Sequence, residues 1–373
     1  MHLTLCIKIL TTLACACIEI KTTMKFSLVL FIIELTCLMN IELSYSWGTD
    51  GHEIIGNIAY ERLSTKSQEK ACAILSMNDD NDPLFGDDGQ SCLGRIADWA
   101  DAYKYSHDGG WSKPLHYVDV EDSLVTNGCH YNNTDNCTFV YERDCANDFC
   151  VAGAVTNYST RLINHSINDN WDSLKFLVHL VGDLHQPLHV SRGSDIGGNS
   201  IHVHFDADWY GSKHGSNLHS IWDSSMIIRA YDEMSMNQTE YGWYLMQLLE
   251  VSYQEHVDGW LECMPDIEGC TKVWAEETFY EALHSAYSNE FHEEIVDGDY
   301  ITKEYYYSRM RVVEKQLLKG AVRLAALLEY ILENVDVMIA DPEKKDSLLW
   351  KLFSTFGRTT PYVARERYIR TSK

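Results

Sequence analysis

Residues 173–189 read SLKFLVHLVGDLHQPLH and combine an apolar helical pattern with imidazole and carboxylate side chains. A spacing of four places His179 and Asp183 on the same face of the helix that this pattern predicts. Pro187 ends that helix, because a proline disfavours helical geometry in the residue before it, and the chain then returns His189 beside the same face. This face is able to hold a metal ion, although one such pair on its own is more often a hydrogen-bonded core histidine.

The spacing of apolar residues elsewhere predicts a mainly helical chain. The pattern around the quoted stretch predicts a helix from Ser173 to Leu184, and the same spacing recurs from Ile54 to Leu63. From Met310 to Val335 a single apolar stripe predicts a long, buried closing helix. The alternation over Ile201–Phe205 predicts a short strand in a small β-hairpin. The predicted fold is therefore a single compact multi-helix domain that carries at most a short hairpin.

The chain has 373 residues with 45% hydrophobic content, which suits one large domain, although length alone would also allow two. We place this domain at residues 47–335, after a leader at 1–46 and before a tail at 336–373 that is richer in Lys and Arg. Gly and Asp residues predict loops at Asp79–Gly89 and Ser191–Asn199. The sequence leaves open whether the tail packs separately, stays mobile or is removed.

The N-terminus has the pattern of a secretory leader. Lys25 precedes the apolar run Phe26–Ile33, and small residues precede Trp47, so we expect cleavage after Ser46. Met24 is the better start, because the residues before it add a second, redundant apolar stretch. A membrane anchor is the alternative, but an acidic residue interrupts the run well short of the roughly 20 apolar residues that a spanning helix needs. An exported protein without a membrane anchor is expected.

The cysteines fit the same exported route. Of 12 cysteines, four lie in the leader, so an even number remains for disulfides. We predict the local pairs Cys72–Cys92 and Cys145–Cys150. Zinc thiolate sites are the alternative, but the chain lacks the paired C-x-x-C ligands that such sites use. Glycan acceptor sequons also fit this route, and they lie at Asn132, Asn136, Asn157, Asn164 and Asn237.

The charge balance limits how the chain could bind a phosphate-rich partner. Acidic residues number 55 against 30 Lys and Arg residues, which gives a formal net charge of -25. A broad basic face for nucleic acid is therefore disfavoured. Any phosphate partner would require metal cations at the site.

Further imidazole and carboxylate groups repeat the pattern of the quoted stretch. His219 and Asp223 are again four residues apart, which makes coincidence less plausible. Asp101 and His116 lie next to apolar or aromatic residues, where an unpaired polar group would be costly to bury. Imidazole and carboxylate without thiolate form the ligand set of zinc sites that keep positions open for water and substrate.

Cleavage after Ser46 would make Trp47 the new N-terminal residue. Its free α-amine and its own carbonyl oxygen are then able to chelate a metal ion. His52, at the start of the next predicted helix, would supply a third ligand. Such a site exists only after the leader has been removed.

Taken together, these motifs resemble the zinc-dependent single-strand nucleases of fungi and plants, the S-one and P-one type. The resemblance extends from Trp47 to about Val335, and it implies a helical fold related to that of zinc phospholipase C. The matching segments are Trp47-Gly48 with His52, Trp99-Ala-Asp101, Leu115-His116, Phe176–His189, Gly197-Gly-Asn199 and Asn217–Asp223.

By position, the resemblance implies three zinc ions as cofactors. The first takes Asp101, His116, His179 and Asp183, the second takes Trp47 and His52 with Asp183 bridging, and the third takes His189, His219 and Asp223. Asp101 and Asp183 would thus act in catalysis as metal ligands. His185 matches a histidine of the plant nucleases and is expected to be structural. His202, His204 and His214 are expected not to bind metal.

The resemblance also implies residues that contact substrate. Lys104 would lie near the scissile phosphate, although a solvated surface lysine is an equal alternative. Tyr117, Asp119 and Asn199 would hold a base by stacking and hydrogen bonds, with Ile196 as a neighbour, and Tyr117 could equally be a core residue. The remaining cysteines are expected to pair across the chain, Cys129 and Cys137 with Cys263 and Cys270.

The implied activity is hydrolysis of single-stranded RNA and DNA by zinc-activated water to 5′-phosphate products, together with 3′-nucleotidase activity. A monomer is expected, in the extracellular space or in a lysosome- or vacuole-like compartment. A zinc phospholipase C is the alternative enzyme, but such enzymes use Glu in place of Asp223, and the gap from Trp47 to His52 is the short one of the nucleases. A catalytically silent secreted metal-binding protein is the alternative from another class, and an intact ligand set with Lys104 argues against it.

Overall fold

The computed structural model describes residues 47–76, 90–123, 128–129, 137–164, 167–205 and 216–335. The predicted leader, the tail after Val335 and the predicted loop Asp79–Gly89 lie outside these residues. Asn132, Asn136 and His214 lie outside them as well.

Helices make up most of the described chain, which confirms the mainly α-helical prediction. They are α1 (Thr49–Arg62), α2 (Thr65–Ser76), α3 (Cys92–Arg95), α4 (Trp99–Lys104), α5 (Tyr141–Asp144), α6 (Val151–Asn164), α7 (Ile167–Leu184), α8 (Leu218–Ser220), α9 (Met226–Glu233), α10 (Gln238–Leu248), α11 (Val257–Trp260), α12 (Ile267–Glu281) and α13 (Lys303–Glu333). Short 3₁₀ turns at Gly110–His116 and Pro187–His189, and a π-helical turn at Ile221–Ser225, carry site residues.

Five short strands accompany the helices in the part of the chain that the structure describes. They are β1 (Val118–Val120), β2 (Val190–Arg192), β3 (His202–Phe205), β4 (Ser216–Asn217) and β5 (Tyr300–Ile301). β3 pairs antiparallel with β4, as the predicted hairpin requires, and β5 adds to β3 in parallel. The parallel pair β1–β2 places Asp119 opposite Ser191 and was not predicted. This pairing joins two segments that both carry predicted site residues.

α7 and α13 lie at the centre of the core. α7 packs against α6, α13 and α1, and it begins at Ile167 rather than at the predicted Ser173. α13 is 31 residues long and begins at Lys303 rather than at Met310. The earlier start follows from Thr302, whose side chain accepts a hydrogen bond from the Tyr305 backbone N–H and caps the helix.

The disulfides agree only in part with the predicted pairs. Among the described cysteines four disulfides form, and they are Cys72–Cys92, Cys129–Cys137, Cys145–Cys150 and Cys263–Cys270. The two local pairs were predicted, whereas the predicted pairing of Cys129 and Cys137 with Cys263 and Cys270 is wrong. Each of these cysteines instead closes a short loop with a partner 8 or 7 residues away, and closing a short loop costs little chain entropy.

Two predicted sequons differ in their surroundings. Asn157 lies on α6 and is buried, so its side chain is not accessible in the folded protein. Asn237 is exposed and caps α10 by accepting a hydrogen bond from the Glu240 backbone N–H. Within the residues described, no helix combines the length and the apolar character needed to cross a membrane.

Candidate metal centre

Separate elements converge on the face of α7 that carries His179 and Asp183. α4 brings Asp101, the 3₁₀ turn Gly110–His116 brings His116, and the first part of α1 brings His52. All five side chains are buried. The spacing of four along α7 therefore supplies two groups of a site that the tertiary fold completes.

Four ligand atoms form a compact first cluster. His116 Nδ1 lies 2.9 Å from Asp183 Oδ2, 3.1 Å from His179 Nε2 and 3.4 Å from Asp101 Oδ1. His179 Nε2 lies 3.2 Å from Asp101 Oδ1 and 3.2 Å from Asp183 Oδ2. A tetrahedral zinc ion about 2.0 Å from each ligand requires ligand atoms about 3.3 Å apart. These five distances lie near this spacing, and His116, His179 and Asp183 form a group whose ligand atoms are close enough to share a metal ion.

His52 forms a second cluster that adjoins the first. Its Nε2 lies 3.2 Å from Asp183 Oδ1, and its ring stacks on that of His179 with 3.8 Å between centroids. His52, Asp101 and His179 also form a group whose ligand atoms are close enough to share a metal ion. Asp183 therefore directs one carboxylate oxygen towards His52 and the other towards the first cluster, as a bridging carboxylate would. Trp47 is fully buried at the start of α1, and its role as a ligand stays a prediction.

The third cluster contains His189, His219 and Asp223. His219 Nε2 lies 3.3 Å from Asp223 Oδ2, and His189 Nε2 lies 3.9 Å from Asp223 Oδ1. His219 lies on α8, which Asn217 caps by accepting a hydrogen bond from the Ser220 backbone N–H, and Asp223 lies one turn later. All the predicted histidine and aspartate ligands thus fall into three adjoining groups.

Three of the imidazoles are oriented by backbone carbonyl groups. His179 Nδ1 donates to Ala97 O at 2.7 Å, and His189 Nδ1 donates to His116 O at 2.6 Å. His219 Nδ1 donates to Gly197 O at 2.6 Å. A histidine that donates through one ring nitrogen presents the lone pair of the other nitrogen to a metal. In each of these residues the other nitrogen is Nε2, which faces its cluster.

Two tests of the buried groups favour a bound cation. His189 Nε2 and Asp223 Oδ2 are buried and make no hydrogen bond with any residue that the structure describes, which is costly unless a ligand compensates. Burial lowers the pKa of His52 and His116 to about 4 and that of His219 to about 3. These imidazoles are therefore neutral near pH 7, which is the form that binds metal. Burial also lowers the pKa of His179, but the Asp183 and Asp101 carboxylates outweigh it and raise this pKa to about 10, so a metal ion there would have to displace a proton.

Lys104 is buried beside the first cluster. Its Nζ lies 2.5 Å from Asp101 Oδ1. Burial lowers the pKa of Lys104, but the Asp101 and Asp183 carboxylates outweigh this effect and raise it above its usual value. The alternative of a solvated surface lysine is thus wrong for Lys104, and its role towards phosphate stays a prediction.

The predicted base-holding residues lie outside the ligand clusters. Tyr117 is 38% exposed, so the alternative of a core tyrosine is wrong. Asp119 lies on β1 opposite Ser191 of β2, from which the chain continues to Asn199. Asn199 Nδ2 donates to Ile196 O at 2.8 Å, so the predicted neighbour belongs to the same turn. Their contact with a base stays a prediction.

The other histidines are engaged elsewhere. His185 donates through Nδ1 to Val181 O at 2.7 Å, and its Nε2 accepts from Arg323 at 3.0 Å. His202 pairs with Asp297 on the exposed side of β3, and His204 stacks on an exposed tyrosine. None of these three belongs to a group of potential metal ligands among the described residues.

Gly182 and Gln186 are site residues that sequence analysis missed. Gln186 Nε2 donates to Asp223 Oδ1 at 2.5 Å. A Cβ atom at Gly182 would lie 2.7 Å from His52 Nδ1, so only glycine lets the His52 ring approach α7. The sequence did indicate a special role for Gly182, because a lone glycine inside an apolar helix often marks a place where another group packs closely against the helix backbone.

We expect Gly182→Ala to displace the His52 ring and to weaken metal binding at the second cluster by roughly ten- to a hundredfold, the size typical for disturbed ligand orientation. The measurement is metal content after equilibration in buffers of graded free zinc. Gly242→Ala is the matched control, since a Cβ atom on α10 at that position meets nothing within 4 Å. Equal zinc affinity in both variants would contradict the proposed role of Gly182.

The fold and the site together define a class of protein: a helical, disulfide-containing chain with three adjoining groups of histidine and aspartate ligands in its core. Residues 47–333 match the model of the S1/P1 Nuclease family, and the chain belongs to that family. This confirms both the resemblance and the predicted fold.

Similar proteins include plant and fungal nucleases. Endonuclease 2 of Arabidopsis thaliana is 35% identical over 77% of this chain and 91% of its own length. Nuclease S1 of Aspergillus oryzae is 30% identical over 78% of this chain and 93% of its own length. Nuclease P1 of Penicillium citrinum is 32% identical over 75% of this chain and 95% of its own length.

Proposed function

We propose that this protein is a secreted, zinc-dependent endonuclease that hydrolyses single-stranded RNA and DNA to 5′-phosphate products and also acts as a 3′-nucleotidase. One observation carries this proposal. Two histidine and aspartate clusters share Asp183 and a third adjoins them, in a chain of the S1/P1 nuclease family. The four disulfides support an exported protein, in the extracellular space or in a lysosome- or vacuole-like compartment.

The ligand chemistry supports zinc as the cofactor. The clusters contain imidazole and carboxylate groups without thiolate, and five distances between ligand atoms of the first cluster lie near those of a tetrahedral zinc site. The proposed ligands are Asp101, His116, His179 and Asp183 for the first ion, Trp47, His52 and Asp183 for the second, and His189, His219 and Asp223 for the third. Bound zinc supplies Lewis acidity, which polarises the phosphoryl group and makes water nucleophilic near neutral pH.

The protein's own residues bind and orient the substrate. Asp183 joins two clusters through its two oxygen atoms and so fixes the distance between them. Lys104 holds a buried positive charge beside Asp101, where it would stabilise the negative charge that develops on a phosphate. Tyr117 is exposed for stacking, and Asp119 and Asn199 offer polar groups to a base edge.

This arrangement favours unpaired bases. A chain with a net charge of -25 gains little from a duplex backbone alone, so affinity must come from the metal centre and from contacts with single bases. Stacking on an exposed tyrosine needs an unstacked base and tolerates any base identity. Cleavage of duplexes should therefore be slow, and sequence selectivity should be weak.

Zinc analysis with activity assays tests the proposed function. We expect the purified protein, cleaved after Ser46, to contain zinc at all three clusters and to degrade single-stranded DNA and RNA. Prolonged chelation should remove the zinc and the activity together, and added zinc should restore both. Phosphatidylcholine serves as the control substrate. Full activity without zinc, or hydrolysis of the phospholipid in place of nucleic acid, would contradict the proposal.

We expect Lys104→Ala to retain its zinc but to slow turnover by roughly ten- to a thousandfold, a range that includes the hundred- to thousandfold loss typical when one transition-state contact is removed. Lys66→Ala is the matched control, because Lys66 is an exposed lysine on α2. Turnover and zinc content are measured for both variants. A Lys104→Ala enzyme as fast as the control would leave Lys104 with a structural role only.

A further inference from the structure

The loop between β2 and β3 holds a strained turn. Ile196, Gly197 and Gly198 all have positive φ angles, of 57°, 62° and 77°. A β-branched residue rarely adopts this geometry, so Ile196 is an outlier. A Cβ atom at Gly197 would lie 2.5 Å from Leu188 O, so that position requires glycine. Such a strained turn persists only where several surrounding contacts stabilise it.

Asp195 is the centre of the contacts that hold this turn. Its Oδ2 accepts a hydrogen bond from Arg192 Nε at 2.6 Å. Its Oδ1 accepts from the Gly198 backbone N–H at 2.7 Å and from the Tyr287 hydroxyl at 2.8 Å. Both Asp195 and Arg192 are buried. One carboxylate therefore fixes the turn to itself and to the segment that follows α12.

Arg192 ties the same loop to two further segments. Its Nη1 donates to Cys129 O at 3.0 Å and to Glu294 Oε1 at 2.5 Å. Its guanidinium group lies 3.7 Å from the centroid of the Tyr287 ring. A planar, permanently charged group with several donors is suited to hold separate segments at once.

The turn places one backbone carbonyl oxygen, Gly197 O, beside a histidine of the third cluster. Gly197 O accepts the Nδ1 proton of His219 at 2.6 Å, and this leaves Nε2 facing Asp223 Oδ2 at 3.3 Å. We propose that the Arg192–Asp195 pair is a positioning device for His219 and thereby sets the zinc affinity of the third cluster. This inference rests on the proposed zinc-dependent function.

The positioning role predicts a local effect on metal binding. Asp195→Asn keeps the size of the side chain but removes the charge that Arg192 compensates and one acceptor of the turn. Gly197 O then no longer holds His219 in one orientation. Loss of a partner that orients a histidine ligand typically costs about ten- to a hundredfold in metal affinity. The first and second clusters contain no group that this turn contacts in the described structure, so they should keep their zinc.

The test is zinc content per chain across buffers of graded free zinc. We expect Asp195→Asn to release zinc from one cluster at about ten- to a hundredfold higher free zinc than the wild type does. Added zinc should restore its turnover, whereas His219→Ala should not recover. Glu277→Gln is the matched control, because it weakens a partly buried ion pair with Arg323, 2.8 Å long, outside this loop. Its zinc release should match that of the wild type.

Three outcomes would overturn the inference. The first is wild-type zinc affinity in a folded Asp195→Asn protein, and the second is equal loss of zinc from all clusters. If Asp195→Asn does not fold, the test uses Arg192→Lys instead, because a lysine cannot hold Asp195, Cys129 O and Glu294 together. The third outcome is unchanged zinc affinity in this Arg192→Lys variant. A wild-type protein that binds no zinc would instead refute the proposed function itself.

Discussion

Asp183→Asn is expected to lower turnover on single-stranded DNA by at least about a thousandfold, because one lost transition-state contact alone costs a hundred- to a thousandfold and this carboxylate serves two clusters. Its Oδ2 lies within 3.2 Å of His116 and His179, and its Oδ1 lies 3.2 Å from His52. An amide keeps the shape but offers a neutral oxygen and a nitrogen that does not bind zinc. Both charge and geometry are therefore lost between the two clusters.

Metal analysis separates this effect from general damage. Asp183→Asn should empty the first and second clusters and leave the third occupied. Asp223→Asn is the matched comparison, because Asp223 groups only with His189 and His219, and it should empty the third cluster alone. Thermal unfolding after chelation checks that both variants fold. Near-normal turnover in Asp183→Asn, or the same metal loss in both variants, would refute the bridging role.

The parts of this centre that follow from sequence are those set by local geometry. His179 with Asp183, and His219 with Asp223, are recognisable because residues four apart share a helix face. The apolar stripe of the closing helix is likewise recognisable from the spacing of residues along one helix. The apolar residues of this stripe, between Met310 and Ile331, are buried as predicted. Asp101 and His116 were candidates because they lie beside apolar or aromatic residues, where an unpaired polar group is costly to bury. Only the resemblance placed them in one cluster with α7, since nothing in their own segments indicates that they meet this helix.

The parts that sequence did not reveal depend on tertiary contacts. The backbone carbonyls of Ala97 and Gly197 orient His179 and His219, but a carbonyl is present in every residue and leaves no mark in the sequence. The pairing of Cys129 with Cys137 depends on where the chain brings their Cα atoms, which are 5.6 Å apart. β1 and β2 are each three residues long and lie far apart in sequence, so no local sequence pattern predicts that they pair.

The second large effect is expected from an extension of the N-terminus. Trp47 is fully buried, and the next backbone N–H, that of Gly48, donates to Asp223 O at 2.7 Å. A Cβ atom at Gly48 would lie 2.0 Å from Ser224 Oγ. The chain thus enters α1 through a tightly packed position beside the third cluster, and His52 follows on the same helix.

An extension also changes the chemistry of the proposed second site. A free α-amine is a good metal donor, whereas the amide nitrogen formed by any preceding residue is a poor one. The zinc ion at His52, which would share Asp183 with the first cluster, should therefore be lost, while the first and third clusters retain their ions. Since one bridging carboxylate would then serve a single ion, we expect turnover to fall by at least about a hundredfold.

The experiment compares one protein before and after a single cut. Residues Trp47–Lys373 are expressed behind a removable tag, and zinc content and hydrolysis of single-stranded DNA are measured before and after a cut that leaves Trp47 first. We expect activity and one further zinc ion to appear only after the cut, when zinc is supplied. The same tag in the Asp183→Asn variant is the control, because its removal should restore neither. Equal zinc and equal activity in the tagged and cut wild-type forms would exclude Trp47 from the site.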